Sequence, residues 1–229
     1  MRVNVCALQV RASLRTGDVA RLAPEEAQLL VLPPHVAVDG ATLARNLHCY
    51  VAMRDKLATL YDPHGDILLE QPETFGHALH ESAKTVDTEI GCIGLLCGKD
   101  VMRPEVSRAL ALKGATLLLH SSQHIGPFVE MQWLSGLRRE CQNNTVFGME
   151  AARVGDGYEG RSAITVPIDM TDQRDGLLAV ADTTAESCVV LAELDFHERL
   201  TVIESNPVRF NSALYGKELE GVECDWPSA

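Results

Sequence analysis

One strand–turn–helix–strand unit constrains the fold of this chain more than any other stretch. Residues 93–97 form an apolar run, a Gly-Lys-Asp turn follows at 98–100, and Pro104 opens a helical pattern that ends at Gly114. A second apolar run occupies 115–119. Proline in a first helical turn and glycine at a helix end are the expected punctuation. Because α/β proteins bind ligands at the carboxyl ends of such buried strands, the turn is the first candidate for a functional site.

The remaining pattern predicts strands and helices mixed along the chain. The longest helical pattern covers residues 126–143, a shorter one covers 41–48, and Asp100 is expected to cap the helix that follows it. Two mixed sheets packed together with helices outside satisfy this order. We therefore expect one α/β domain over 1–205 and a tail, 206–229, that packs on the body or on a partner subunit. The other predicted strands cover residues 3–10, 29–32, 49–52, 57–61, 67–69, 146–152, 162–166, 176–181 and 188–194.

Composition narrows the range of partners. The net charge is −12 and no block of basic residues occurs, so binding to nucleic acid or to an anionic membrane surface is disfavoured. No apolar run reaches membrane-spanning length, and the first residues do not read as a secretion signal, so a cytoplasmic protein is expected. The seven cysteines are odd in number and form no Cys-x-x-Cys pair. Buried free thiols are expected rather than disulfides or structural zinc.

Eight segments, in order along nearly the whole chain, resemble motifs of the nitrilase, or carbon–nitrogen hydrolase, superfamily. Together they are more specific than any one of them alone. The resemblance implies a four-layer αββα sandwich, and also a homodimer or higher homo-oligomer, because the sandwich is usually dimerised in that family. The matching segments are Val5-Cys-Ala-Leu-Gln9, Val31 to Gly40, Gly91-Cys-Ile-Gly94, Asp100 to Glu105, Gly114-Ala115, Trp133 to Asn143, Tyr158 to Ser162 and Glu193-Leu-Asp195.

The family's catalytic positions carry different side chains in this chain. The resemblance implies a Glu general base, a Lys that stabilises the tetrahedral intermediate and a Cys nucleophile. Matched by spacing, these positions fall on His35, near Glu73, and on Gly98. Glycine has nothing to acylate, so the covalent route is expected to be lost. His35 and Glu73 are interpreted either as a new acid–base pair or as residues that fill a disused cavity or face solvent.

Two functional readings follow. The first is a non-hydrolytic pseudoenzyme, or an enzyme re-purposed to act on or bind a small nitrogenous or carboxylated molecule. The alternative is a divergent amide or nitrile hydrolase, acting on non-peptide carbon–nitrogen bonds, whose nucleophile is the displaced thiol of Cys97 with Lys99 lowering its pKa. A one-residue offset in a strand turns a side chain to the opposite face, so Cys97 is expected to face the core.

Four further residues are predicted to line the pocket: Gly98 and Lys99 on the turn, His120 at the end of the next strand, and Trp133. His120 lies close in sequence to His124, and His77 and His80 come earlier. Imidazole suits zinc, but ordinary polar loop residues are the better interpretation of this weak pattern. No metal and no cofactor are expected.

Overall fold

The computed structural model describes residues 1–74 and 83–205 and contains two six-stranded sheets packed face to face. The helices are α1 (Thr16–Leu22), α2 (Gly40–Leu47), α3 (Pro104–Leu112), α4 (Glu130–Leu134), α5 (Leu137–Asn144) and α6 (Phe196–Ser205). The strands are β1 (Arg2–Gln9), β2 (Leu29–Val31), β3 (Tyr50–Arg54), β4 (Ala58–Tyr61), β5 (Ile67–Gln71), β6 (Thr85–Thr88), β7 (Gly91–Leu96), β8 (Leu117–Ser122), β9 (Phe147–Ala152), β10 (Ala163–Thr165), β11 (Leu177–Val180) and β12 (Cys188–Asp195).

Both sheets have the same internal arrangement. The first has the order β12-β1-β2-β3-β4-β5 and the second the order β11-β10-β9-β8-β7-β6. In each, three consecutive strands are parallel (β1-β2-β3 and β7-β8-β9), and the flanking strands are antiparallel. Parallel strands are normally covered on both faces and read as continuous apolar runs, which is why the sequence pattern located them. The carboxyl ends of the parallel strands are the places where a site is expected.

Three apolar clusters separate four layers. The largest lies between the sheets and includes Val5, Leu95 and Phe147. A second packs α1 and α2 onto the outer face of the first sheet, and a third packs α3 and α5 onto the outer face of the second. The predicted αββα sandwich is therefore confirmed. No helix in the described ranges, 1–74 and 83–205, is long and apolar enough to cross a bilayer.

The turn after β7 has the predicted form. Ile93, Leu95 and Cys97 belong to the cluster between the sheets, whereas Leu96 belongs to the cluster under α3 and α5. The alternation of a strand thus continues to Cys97 and carries its side chain inward. Gly98 then begins a 3₁₀ turn, Gly98–Met102, that leads into α3.

Two local predictions are wrong. The helix expected over 126–143 is broken into α4 and α5 because Gly136, at φ −88° and ψ −127°, is not helical. The segment before Gly136 is not a core helix, since Met131 is 72% exposed. Asp100 does not cap α3: the N-cap is Arg103, with no side-chain cap, and Asp100 accepts hydrogen bonds from Thr74 instead. The predicted tail, 206–229, lies outside the described residues.

Candidate functional site

A pocket of about 450 Å³ opens beside the turn after β7. Residues from both sheets line it, because β3 ends at Arg54 and Glu73 follows β5, while the turn and the end of β8 belong to the second sheet. Its charged or ionisable lining residues include Arg54, Glu73, Lys99, His120, His124, Glu150 and Arg161, and its apolar lining residues include Val101, Met102, Phe128 and Trp133. The pocket therefore combines an apolar wall with charges of both signs.

The Glu73 carboxylate occupies the space next to Gly98. A Cβ added at Gly98 would lie 3.1 Å from Oε2 of Glu73 and 3.4 Å from Nη1 of Arg54. The backbone N–H of Lys99 donates to Oε1 of the same carboxylate at 3.2 Å. Gly98 also has φ +56°, a left-handed conformation that disfavours any residue with a side chain. The backbone and the carboxylate both favour glycine at this position.

A buried hydrogen-bond cluster holds the Glu73 segment against the turn. The backbone N–H of Thr74 donates to Asp100 Oδ2 at 3.0 Å, and the Thr74 hydroxyl donates to Asp100 Oδ1 at 2.7 Å. Arg103 Nη1 also donates to Asp100 Oδ1 at 3.2 Å. Burial raises the pKa of Asp100, although the bonds from Thr74 and the charge of Arg103 act in the opposite direction. Because Thr74 adjoins Glu73, this cluster fixes where the Glu73 carboxylate lies.

The His120 ring lies between the turn and β9. Its Nε2 is 3.1 Å from the carbonyl oxygen of Gly98, and a carbonyl can only accept, so Nε2 is the donor. Its Nδ1 lies 3.6 Å from Oε1 of Glu150 and has no hydrogen-bond partner in the described structure. His120 is 5% exposed and Glu150 is 7% exposed. The pocket wall therefore contains two buried polar groups that face each other without a hydrogen bond.

Two unused donors lie elsewhere on the pocket wall. Nε of Arg54 and Nε1 of Trp133 are buried, and neither has a hydrogen-bond partner within 1–74 and 83–205. The Trp133 ring is held by Phe128, with ring centroids 5.8 Å apart, and by Arg161, whose Cζ lies 5.5 Å from the ring centroid. Buried polar groups in native proteins normally have partners, so these two donors are candidate contacts for a ligand.

The structure brings five of the predicted site residues together and separates two from them. Glu73, Gly98, Lys99, His120 and Trp133 all line the pocket. His35 and Cys97 are not among its lining residues.

His35 lies at the surface and pairs with Asp55 rather than with Glu73. Its Nδ1 is 3.0 Å from Oδ1 of Asp55, and 40% of its side chain is exposed. The residue follows Pro34 in a left-handed turn at φ 60°, and its N–H donates to the carbonyl of Arg54. The predicted acid–base pair of His35 with Glu73 is therefore not formed.

Cys97 is buried in the core. It is 2% exposed and packs between the sheets with Leu95 and Leu119. Burial raises the pKa of the Cys97 thiol, while the nearby charge of Arg54 acts in the opposite direction. A nucleophilic cysteine needs an accessible thiolate, and this environment favours the neutral thiol.

The lining residues that the sequence interpretation missed include three charged ones, which are Arg54, Glu150 and Arg161. Glu150 gave the clearest signal, because it is the one charged residue in the apolar run 146–152. Arg54 ends a predicted strand run, and Arg161 lies in the Tyr158 to Ser162 segment. Nothing in the local sequence shows that these positions converge.

The described residues contain no group of three His, Cys, Asp or Glu side chains that could hold a metal ion. His124 lines the pocket, and its Nε2 is 3.1 Å from the carbonyl oxygen of Pro127. His77 and His80 lie outside the described residues.

Solved structures with the same fold include a member of the nitrilase superfamily, a carbon–nitrogen hydrolase and an amidase. The chain is similar to Nit3 of Saccharomyces cerevisiae, a member of branch 10 of the nitrilase superfamily, with 16% identity, a TM-score of 0.72, and coverage of 92% of this chain and 96% of that one. It is also similar to a carbon–nitrogen hydrolase from Helicobacter pylori, with 16% identity, a TM-score of 0.73, and coverage of 97% and 100%.

A third similar structure is a mutant amidase from Nesterenkonia sp. AN1 that carries the acetamide moiety of fluoroacetamide on its active-site cysteine. It shares 17% identity, with a TM-score of 0.69 and coverage of 90% of this chain and 97% of that one. No curated protein matches the sequence. The carbon–nitrogen hydrolase family model, however, matches residues 56–197, which is more than half of the chain. The two packed sheets agree with this match. The chain therefore belongs to the carbon–nitrogen hydrolase family.

Proposed function

We propose that this protein is a non-hydrolytic member of its family that binds a small carboxylated molecule in the pocket beside Gly98. The observation that carries the proposal is the arrangement at the turn: Gly98 offers no nucleophile, and the Glu73 carboxylate fills the adjoining space. Covalent hydrolysis by a thiol requires a sulfur atom that can form a bond to the carbonyl carbon. No cysteine lines the pocket among the described residues.

The polarity of the turn also opposes acyl transfer. A tetrahedral intermediate carries a developing oxyanion, which backbone N–H groups stabilise at about 2.7–3.1 Å. The N–H that follows Gly98 in the chain belongs to Lys99 and already donates to Glu73. A carboxylate at that place repels a second negative oxygen. Glu73 therefore disfavours acyl transfer in two ways: its carboxylate already accepts from the Lys99 N–H, and its negative charge repels the oxyanion.

The same pocket suits a carboxylate ligand at a different point. The planar guanidinium of an arginine matches the two oxygens of a carboxylate. Nε of Arg54 is buried without a partner, and so is Nε1 of Trp133. Among the described lining residues, three are cationic (Arg54, Lys99 and Arg161) and two are carboxylates (Glu73 and Glu150). The described pocket lining thus has a small excess of positive charge, although the whole chain has a net charge of −12. The local excess favours an anionic group at Arg54.

The alternative, a hydrolase that uses Cys97, has no observation in its favour. Its thiol is packed between the sheets, and the groups on the pocket side of the turn are the Gly98 backbone and Glu73. For Cys97 to react, the turn would have to rearrange by one residue. That rearrangement breaks the hydrogen bond from Lys99 to Glu73.

Two measurements on the full chain test the proposal together. Intact mass after incubation with a panel of small amides and nitriles is expected to show neither turnover nor a covalent acyl adduct. Calorimetric titration with short carboxylates is expected to show binding that weakens by about tenfold or more in Arg54→Gln, because a charge-assisted bond is lost. The matched control is Arg21→Gln, since Arg21 is exposed on α1, pairs with Asp18 and lies outside the pocket. Turnover that disappears in Cys97→Ala would overturn the proposal, and so would carboxylate binding that is indifferent to Arg54.

A further inference from the structure

We infer that the ligand of this pocket also carries an amino group, which His120 and Glu150 receive together, so that the ligand class is a short amino carboxylate. The inference rests on the proposed function, because the carboxylate end of such a ligand is the end that Arg54 binds. The His120–Glu150 pair is then a second recognition point. Of two carboxylates of equal length, the one with an amino group is expected to bind more tightly.

The hydrogen bond to Gly98 fixes the tautomer of His120. Since the Gly98 carbonyl accepts from Nε2, a neutral His120 ring carries its one proton there, and Nδ1 presents a lone pair. Oε1 of Glu150 lies 3.6 Å from Nδ1, and a carboxylate oxygen is also an acceptor. Two acceptors thus face each other in a buried wall, with no donor between them in the described structure. The missing element is an N–H donor.

An amino group supplies that donor from the pocket side. Both His120 and Glu150 line the pocket. Nδ1 of His120 is covered in this structure, so an amino group that enters the pocket reaches it by a small shift of the neighbouring side chains. An ammonium group has three N–H donors, which is enough for both acceptors. The negative charge of Glu150 also compensates the charge of an ammonium in a place where water is largely excluded.

Two other ways of satisfying these groups fit the geometry less well. A doubly protonated His120 would donate to Glu150, but charge-assisted N–H···O bonds are about 2.7–2.9 Å long, and the observed separation is 3.6 Å. A metal ion would need further ligands, and no third His, Cys, Asp or Glu joins this pair in the described residues. The 3.6 Å separation instead suits two acceptors that both bind one ammonium group.

Arg54 and His120, the residues at the two recognition points, each lie beside Gly98, which favours a short ligand. Nη1 of Arg54 is 3.4 Å from the place where a Gly98 Cβ would stand, and Nε2 of His120 is 3.1 Å from the Gly98 oxygen. Both points therefore adjoin the single residue Gly98. A short amino carboxylate is therefore the first ligand to test.

The experiment compares amino acids with the same molecules lacking nitrogen. The full chain is titrated calorimetrically with glycine, β-alanine and 4-aminobutanoate, and with acetate, propionate and butyrate, at neutral pH. At least one amino acid is expected to bind about tenfold or more tightly than its counterpart, because a buried ion pair is gained. In Glu150→Gln this preference is expected to disappear. In Glu193→Gln, which removes an equal charge at the surface outside the pocket, the preference is expected to persist.

The outcomes separate this inference from the proposed function. Equal binding of acids and amino acids that depends on Arg54 overturns the inference and leaves the proposed function standing. Binding of neither set overturns both. If Glu150→Gln does not fold, nitrogen NMR of His120 in the unchanged protein gives the answer: Nδ1 is expected to be unprotonated in the free protein and to acquire a hydrogen bond when the amino acid is added. A protonated Nδ1 in the free protein overturns the inference.

Discussion

The backbone N–H of Lys99 donates to the side-chain carboxylate of Glu73, with 3.2 Å between N and Oε1. This bond joins the second sheet to the segment that leaves the first, and it lies beside Gly98, the position at which the sequence resemblance predicts the family's nucleophile. The neighbouring bonds from Thr74 to the buried Asp100 hold the segment in that position. The carboxylate is thus a fixed part of the pocket wall.

Gly98 and Glu73 are expected to be energetically coupled. Gly98→Ala places a Cβ 3.1 Å from Oε2 of Glu73 on a left-handed backbone, so it is expected to lower the free energy of unfolding by about 1–3 kcal/mol. In a Glu73→Ala background the close contact is gone and only the backbone cost remains, so the same change is expected to cost about 0.5–1 kcal/mol less. Urea unfolding of the four proteins of this double-mutant cycle measures the difference.

Gly17→Ala is the control for that cycle. A Cβ at Gly17 meets nothing within 4 Å, and the residue lies in α1. The substitution is therefore expected to be neutral or to stabilise the protein by up to about 1 kcal/mol, because alanine is the better helix former. Additive costs for Gly98→Ala and Glu73→Ala would mean that the carboxylate does not occupy the space beside Gly98.

Cys97 is expected to be slow to react in the folded protein. Burial raises the pKa of its thiol, so little thiolate is present at neutral pH and the sulfur is covered. Iodoacetamide is expected to label Cys97 only on unfolding, and to label the half-buried Cys188 about tenfold or more sooner. Peptide mass spectrometry over time measures both rates. Labelling of native Cys97 as fast as that of Cys188 would contradict the placement of its side chain between the sheets.

The parts of this molecule that follow from local pattern were predictable, and the parts that depend on distant contacts were not. The strand leading to Cys97 and the helix opened by Pro104 follow from alternation and punctuation, which a sequence displays directly. Arg54 and Glu150 lie on strands of different sheets, and only the packing of the sheets brings both to one pocket. Gly136 ended a helical pattern that otherwise ran unbroken, because its backbone departs from helical geometry. The homo-oligomer and the location in the cell stay predictions.

His35 is expected to have no part in ligand binding. Its ring pairs with Asp55 on the surface, and exposed pairs contribute about 0–1 kcal/mol. His35→Asn keeps a residue that tolerates the left-handed backbone at φ 60°, so the free energy of unfolding is expected to change by less than about 0.5 kcal/mol. The affinity for carboxylates, measured by titration, is expected to match that of the unchanged protein. A loss of affinity in His35→Asn without a loss of stability would show that this residue reaches the pocket.

Asp100 is expected to give the protein a recognisable dependence of stability on pH. Because burial raises the pKa of Asp100 above 3.8, the folded state binds its proton more tightly than the unfolded state. As the pH falls through the raised pKa, the folded protein takes up this proton before the unfolded protein does, so the contribution of Asp100 to stability rises. Below 3.8 both states are protonated, and the contribution becomes constant. The stability of the natural protein relative to Asp100→Asn is therefore expected to increase as pH falls through this window.

Asp39 provides a control of opposite sign. It caps α2, and the hydrogen bonds from Thr42 lower its pKa below 3.8, so its contribution is present above 3.8 and is lost as pH falls through the lowered pKa. Urea unfolding of the natural protein, Asp100→Asn and Asp39→Asn across the acid range measures both differences. The two difference curves are expected to slope in opposite directions, in adjoining pH windows. Parallel curves would mean that the Asp100 carboxyl is not buried under Thr74, and the account of how the Glu73 segment is held would fail with it.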